Sequence, residues 1–222
     1  MLTRRVLYNS SLLSVRHVAC QDAPKEISDV EYSDADTLIF PIRGVFVEHF
    51  SPGFHVLAEP NIALVFPAGR SCRVSHPVAA EDECLAMEFS PACFQEVLLD
   101  AARGQIRPAI GTHYTLSPSA MACCHLLWHG LERQFVGPLE IEETCVAMLT
   151  VALRGVCEKG KRQSATRRQV GPKILHQMEA ARIAVLTNPQ EKWTLASLAH
   201  LVECSPFHLT RMKFTGSTNS GA

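Results

Sequence analysis

The sequence predicts an α+β chain: a β-rich N-terminal body, a helical hairpin and a C-terminal helix-turn-helix. Three observations predict it. Residues 37–89 hold short apolar runs separated by Pro/Gly turns, the pattern of a sandwich or small barrel. Residues 90–158 switch to apolar spacings of three and four, which mark amphipathic helices. Beyond Lys159 the charge changes sign. Residues 159–222 carry ten Lys/Arg against three acids, a surplus of +7, while 1–158 carry −8. The net charge of −1 over 222 residues therefore averages an acidic body and a basic tail, an asymmetry that points to a polyanionic partner. At 47% hydrophobic and 19% charged, the chain has apolar surface enough for a core, which excludes a disordered chain and a disulfide miniprotein.

The elements follow in order. Thr3-Arg4-Arg5 precedes an apolar stretch, but Asn9, Ser10, Ser11, Arg16 and His17 interrupt it, so no secretory signal is expected. No run approaches the roughly 18 apolar residues of a membrane span, and a cytoplasmic chain without membrane contact is the expectation. Nine scattered cysteines include no C-x-x-C and read mainly as small buried hydrophobes, with the vicinal Cys123-Cys124 pair open to thiol chemistry. Val45–Val47, Ile62–Phe66 and Leu85–Phe89 are strand-like. Ser90-Pro91 caps a helix with Phe94, Val97 and Leu98 on one face, closed by Gly104. Ser117-Pro118 opens a second helix, with Met121, Cys124, Trp128, Leu131 and Phe135 in a stripe. After Gly137-Pro138 a third carries Ile141, Cys145, Met148, Leu149, Ala152 and Val156. Such a hairpin covers a core or forms a homodimer surface. Residues 159–171 are basic and lack apolar periodicity, so they are expected as a linker bearing Lys161, Arg162, Arg167 and Arg168. A helix over Lys173–Thr187 follows, with Ile174, Met178, Ala181, Val185 and Leu186 on one side.

Thr194 is an N-cap before Leu195, Leu198, Ala199 and Val202. Glu203-Cys204 makes a tight turn, and Ser205 caps a new helix with Pro206 at its first position, followed by Phe207, Leu209 and Met212. This is the layout of a helix-turn-helix, whose second helix enters the DNA major groove. The helix start at Ser205 offers N–H groups to a phosphate.

Trp193–Ala199 and Cys204–Met212 resemble the first helix-turn-helix of AraC/XylS-type transcription regulators, and Lys173–Leu186 is similar to that module's opening helix. The resemblance implies a cupin-like β-barrel effector domain over 1–116 and a dimerising hairpin over 117–158. It implies the first helix-turn-helix over 172–214, which follows the basic linker of 159–171, while the polar residues 215–222 are expected as an unstructured tail. The function it implies is a sequence-specific, effector-responsive DNA-binding regulator without catalysis. Ser205, Phe207, His208, Thr210 and Arg211 are the implied DNA contacts, Arg211 as the guanine reader. Glu203 stands where the family often has Gly. Met212-Lys213-Phe214 shifts the core aromatic by one position, and no second helix-turn-helix follows, so weakened DNA binding is expected.

Two other readings start from the same residues. One is a sensor and dimerisation partner that modulates an intact regulator without touching DNA. The other is a metal-binding cupin using His49, His55, Glu59 and His76. No H-x-H occurs among these residues, so no metal and no other cofactor is expected. No G-x-S-x-G, phosphate loop or H-E-x-x-H occurs either, so no enzyme is expected. A small-molecule effector would be lined by Phe40, Val45, Val47, Leu64, Phe66 and Met87.

Overall fold

The computed structural model describes residues 2–21, 27–51, 54–76, 81–102 and 113–165, then 177, 180–182, 184–185, 188 and 190–210. Among the described residues, ten strands form two antiparallel sheets. The larger has the order β1 (Leu2–Asn9), β2 (Leu13–Cys20), β9 (Asp82–Phe89), β4 (Asp36–Arg43), β7 (Ile62–Phe66) and β10 (His113–Thr115). The smaller has the order β3 (Glu31–Tyr32), β8 (Ser71–Ser75), β5 (Phe46–Ser51) and β6 (Phe54–Ala58). The α+β class and the strands over 62–66 and 85–89 agree with the sequence pattern. β1, β2, β3 and β10 lie outside the strand-like pattern of residues 37–89.

The large sheet is buried on both faces, and strand alternation sorts its residues between two cores. Leu13 and Val15 of β2, Leu38 and Phe40 of β4, Ala63 and Val65 of β7, and Leu85, Met87 and Phe89 of β9 pack toward the helices. Ile39, Ile62, Leu64, Phe66 and Cys84, each one residue out of step, pack with Phe46, Val56 and Ala58 of the small sheet. Pro41 lies in β4 past the end of its pairing with β7 and beside a register shift against β9. A residue without an N–H is accommodated at such a bulge. Gly44 follows at φ +76°, and a Cβ there would lie 2.4 Å from the Glu81 carbonyl oxygen. Only glycine fits that turn.

Three helices cover the outer face of the large sheet. α1 (Pro91–Ala101) starts at Ser90, whose Oγ accepts from the Cys93 N–H, and buries Phe94, Val97 and Leu98. α2 (Pro118–Arg133) is capped by Ser117 and ends at Gln134, which has φ 56°. Phe135, expected on its apolar stripe, lies beyond this left-handed cap and is exposed. α3 (Pro138–Ala165) buries the whole stripe from Ile141 to Val156. Gly155 lets α3 approach β10, since a Cβ there would meet the Tyr114 ring at 2.1 Å. Polar ties reinforce the contact: Tyr8 Oη donates to Glu142 Oε1 at 2.9 Å, Arg5 pairs with Glu132, and Arg154 with Asp100 at 2.8 Å. The hairpin thus serves as core cover. Its helix continues through residue 165, so the first half of the expected linker is helical. Lys, Arg, Gln and Ala there are good helix formers, and only Gly160 works against them. Residues 166–171 lie outside the described residues.

Candidate functional site

Between the two sheets lies a cavity of about 520 Å³, within the range of small-molecule sites. Alternate positions supply its walls: Arg16, Val18 and Cys20 of β2, Thr37 and Ile39 of β4, Phe46 and Glu48 of β5, and Asp82, Cys84, Ala86 and Glu88 of β9. Apolar side chains (Val18, Ile39, Phe46, Phe66, Val74) alternate with charged ones. Arg16 Nη2 meets Glu88 Oε2 at 2.8 Å, a diagonal pair across β2 and β9.

Glu48 is the most unusual group in the wall. It is 4% exposed, and its Oε2 has no hydrogen-bond partner among the described residues. Burial pushes its carboxyl up to about 8, with the charge of Glu31 adding and the Cys72 thiol opposing. The Cys72 and Cys84 thiols are themselves driven well up by burial and neighbouring acids. At neutral pH the wall therefore presents a protonated carboxyl able to donate a hydrogen bond.

Around the strand ends, Cys20 and Asp82 stand directly opposite each other in the β2–β9 register. His76 follows β8 at once, and its Nε2 lies 2.9 Å from Asp82 Oδ2. Both His76 and Asp82 are buried. Burial and the Asp82 charge push the Cys20 thiol up.

The effector positions expected from sequence divide between the two cores. Phe66 lines the cavity and Leu64 belongs to the same apolar cluster. Phe40 and Met87 point the other way, into the helix-facing core. Val47 is buried between the cavity-lining Phe46 and Glu48 and so faces the opposite side of β5. Val45 precedes β5 and is half-buried. A sheet with two buried faces carries apolar residues at both parities, so hydrophobicity alone does not tell which core a residue enters. The chemistry-bearing positions Glu48, Cys20 and Asp82 were missed. No alternation marks them in the sequence, since Glu48 stands beside His49 and Asp82 beside Glu83.

The four positions considered for a metal do not converge. His49 and His55 are cross-strand neighbours with ring centroids 5.6 Å apart, at the parity opposite to the cavity residues of β5. His49 Nε2 bonds Ser75 Oγ at 2.7 Å, and burial together with His55 lowers its pKa. Glu59 pairs with Arg182. His76 alone lines the cavity. Cys124, of the vicinal pair, is buried with its thiol raised to about 12, the environment of a packed rather than a reactive cysteine.

In the C-terminal part, residues 177, 180–182 and 184–185 are helical. Ala181 is buried and Val185 exposed; Ile174, Met178 and Leu186 lie outside the described residues. α4 (Leu195–Leu201) starts at Thr194, which exchanges bonds with Ser197 in a capping box. Ala199 is fully buried, whereas Leu195 is exposed. At the other end the Glu203 N–H donates to the His200 carbonyl and the Cys204 N–H to the Ala199 carbonyl. This pair of bonds is a Schellman turn. Its left-handed position is Glu203, at φ 52°. Gln177 is buried beneath the turn, its Nε2 donating to the Val202 carbonyl at 2.7 Å. A second helical stretch, 206–210, then begins with Ser205 Oγ accepting from the His208 N–H at 3.1 Å. Ser205, Phe207 and His208 are exposed, Phe207 at 72%. Thr210 is half-buried, its Oγ1 donating to the Pro206 carbonyl. Lys161 and Arg162 fall on the last turns of α3, while Arg167, Arg168 and Arg211 lie outside the described residues.

No protein-family model matches this chain, and no curated protein does. Solved structures similar to it include proteins described as cupins. They include a cupin-superfamily protein of Desulfitobacterium hafniense, 18% identical over 40% of this chain and 77% of that one, with a TM-score of 0.34. A cupin domain from Bordetella pertussis is 15% identical over 40% of this chain and 93% of its own, with a TM-score of 0.33. The EutQ protein of Clostridium difficile is 14% identical, covering 40% and 67%, with a TM-score of 0.34. The architecture given above rests on strand order and register in this chain. No helix among the described residues is long and apolar enough to cross a membrane.

Proposed function

We propose that this chain is an effector-responsive, sequence-specific DNA-binding regulator of the AraC/XylS kind. The observation that carries the reading is the capped turn between α4 and residues 206–210. It buries Ala199 and Val202 while exposing Ser205, Phe207 and His208 at the start of a helix. Exposed side chains on the first turn of such a helix suit phosphates and base edges. The +7 charge of residues 159–222 supplies the non-specific attraction on which such recognition builds.

The cavity is the effector site in this reading. Its apolar walls take the body of a small molecule, and the protonated Glu48 and the Arg16–Glu88 pair orient its polar groups. Leu126, Phe135 and Leu139, each about two-thirds exposed on the hairpin, supply the apolar contact for a homodimer. The nine cysteines, none in a disulfide among the described residues, and the basic tail fit a cytoplasmic setting.

Fluorescence anisotropy with duplexes enriched from a random pool tests this. The enriched duplex is expected to bind more tightly than a scrambled one at the same salt. Phe207→Ala and Arg211→Ala should each erode that preference by about 1–3 kcal/mol. Replacing Lys161, Arg162, Arg167 and Arg168 by Ala should weaken all sequences alike and flatten the salt dependence. Absence of enrichment, with equal binding to every duplex, overturns the reading in favour of a sensor that acts through another protein.

A further inference from the structure

We infer that Cys20, His76 and Asp82 form a binding site for one zinc-type divalent ion where β2 ends and β9 begins. Their donor atoms (Cys20 Sγ, a His76 ring nitrogen and an Asp82 carboxylate oxygen) all lie within 4.8 Å of one another. Tetrahedral zinc, with bonds of roughly 2.0–2.3 Å, holds its ligands about 3.3–3.8 Å apart. Small side-chain rotations therefore close the set.

The backbone places these ligands. Cys20 and Asp82 are directly opposed on neighbouring strands, and both line the cavity. His76 arrives from the other sheet, one residue after β8. Asp82 is 6% exposed, and its Oδ2 makes no hydrogen bond among the described residues although His76 Nε2 is 2.9 Å away. The two groups stand at ion-pair distance, yet no hydrogen bond joins them. A buried carboxylate oxygen without a donor is costly, and buried charges are paired or coordinate metals. A cation between the three groups supplies what Asp82 lacks.

The donor set selects the ion. One sulfur, one imidazole nitrogen and one oxygen suit zinc, whereas calcium and magnesium take oxygen ligands throughout. Binding replaces the Cys20 thiol proton with the ion and releases that proton to solvent. Three protein ligands leave a fourth position toward the cavity for water or a donor atom of a bound molecule. The ion also joins the large sheet, through Cys20 and Asp82, to the small one through His76. The site is separate from the His49–His55 pair and does not depend on DNA binding.

Cobalt titration of the full, chelator-treated chain tests the site. One equivalent of cobalt should give a thiolate-to-metal charge-transfer band with tetrahedral d–d absorption, and zinc should displace it. Cys20→Ser should remove the charge-transfer band. His76→Ala and Asp82→Ala should each weaken binding by more than about tenfold, while Cys72→Ser and the Cys123→Ser/Cys124→Ser double variant leave the titration unchanged. Thermal melts without metal check that each variant folds, and Asp82→Asn replaces Asp82→Ala if the latter does not. A wild-type chain that gives no band in excess cobalt overturns the proposal. So does a band that survives Cys20→Ser, or binding that folded His76 and Asp82 variants leave unweakened.

Discussion

Glu48 shows how one residue's surroundings set its chemistry. The facing titratable groups are Cys72, which bonds the carboxyl, and Glu31, whose charge opposes ionisation, while burial contributes most. Because the folded pKa of about 8 exceeds the ordinary 4.5, the native state holds this proton more tightly than the unfolded chain. Its contribution to stability is full below about pH 4.5 and is lost as pH rises toward 8, with a slope of up to about 1.4 kcal/mol per pH unit. Glu48→Gln keeps the shape and removes the charge, so its stability curve should be flatter over that window. Urea unfolding of both forms across the window checks this; parallel curves would show Glu48 ionised throughout. Little of this was legible in the sequence, where Glu48 is an acid within a short β-run. That it faces a closed interior depends on Phe46 sharing its parity and on the small sheet packing over both.

At the scale of elements, the helices were the most legible part. Ser90-Pro91, Ser117-Pro118 and Thr194 all cap where the local chemistry places them, because a cap needs only its own few residues. β1 and β2 were hidden for the opposite reason. Their arginines and His17 disguise the alternation; the His17 ring lies against Trp128, 4.6 Å between centroids, and its Nε2 is 3.3 Å from Glu83 Oε2. The α4 turn combines both kinds of information. Its Schellman bonds are local and were legible as a tight turn, but Glu203 occupies the position that suits glycine. Glu203→Gly should therefore stabilise the turn by about 1 kcal/mol. Amide exchange at Glu203 and Cys204, whose N–H groups close the turn, should slow in that variant. Unchanged or faster exchange there would mean that the glutamate side chain contributes more than its backbone costs.

At the scale of the whole molecule, one ionic contact ties the C-terminal helical residues to the β body. Arg182 pairs with Glu59 and reaches Asn61 Oδ1, both in the turn between β6 and β7. The Glu59 side chain is 12% exposed, so removing Arg182 leaves a largely buried carboxylate unpaired. Arg182→Ala should cost about 1–3 kcal/mol, and Arg182→Ala/Glu59→Ala less than the two single variants together. Strict additivity in urea unfolding would show that the contact carries no coupling. No spacing in the sequence links residues 59 and 182, and the pair is visible only in three dimensions. The alternation of β9 was visible in one dimension, and its consequence reaches furthest. Asp82, Cys84, Ala86 and Glu88 serve the cavity, while Leu85, Met87 and Phe89 serve the helices. A slip of β9 by one residue would exchange the two sets, pressing Asp82 and Glu88 against the helical layer and taking both carboxylates from the cavity. Burial of both faces therefore penalises the slipped register. Substitutions at the cavity-facing positions of β9 can retune what the cavity presents while the helix-facing scaffold keeps its own set of side chains.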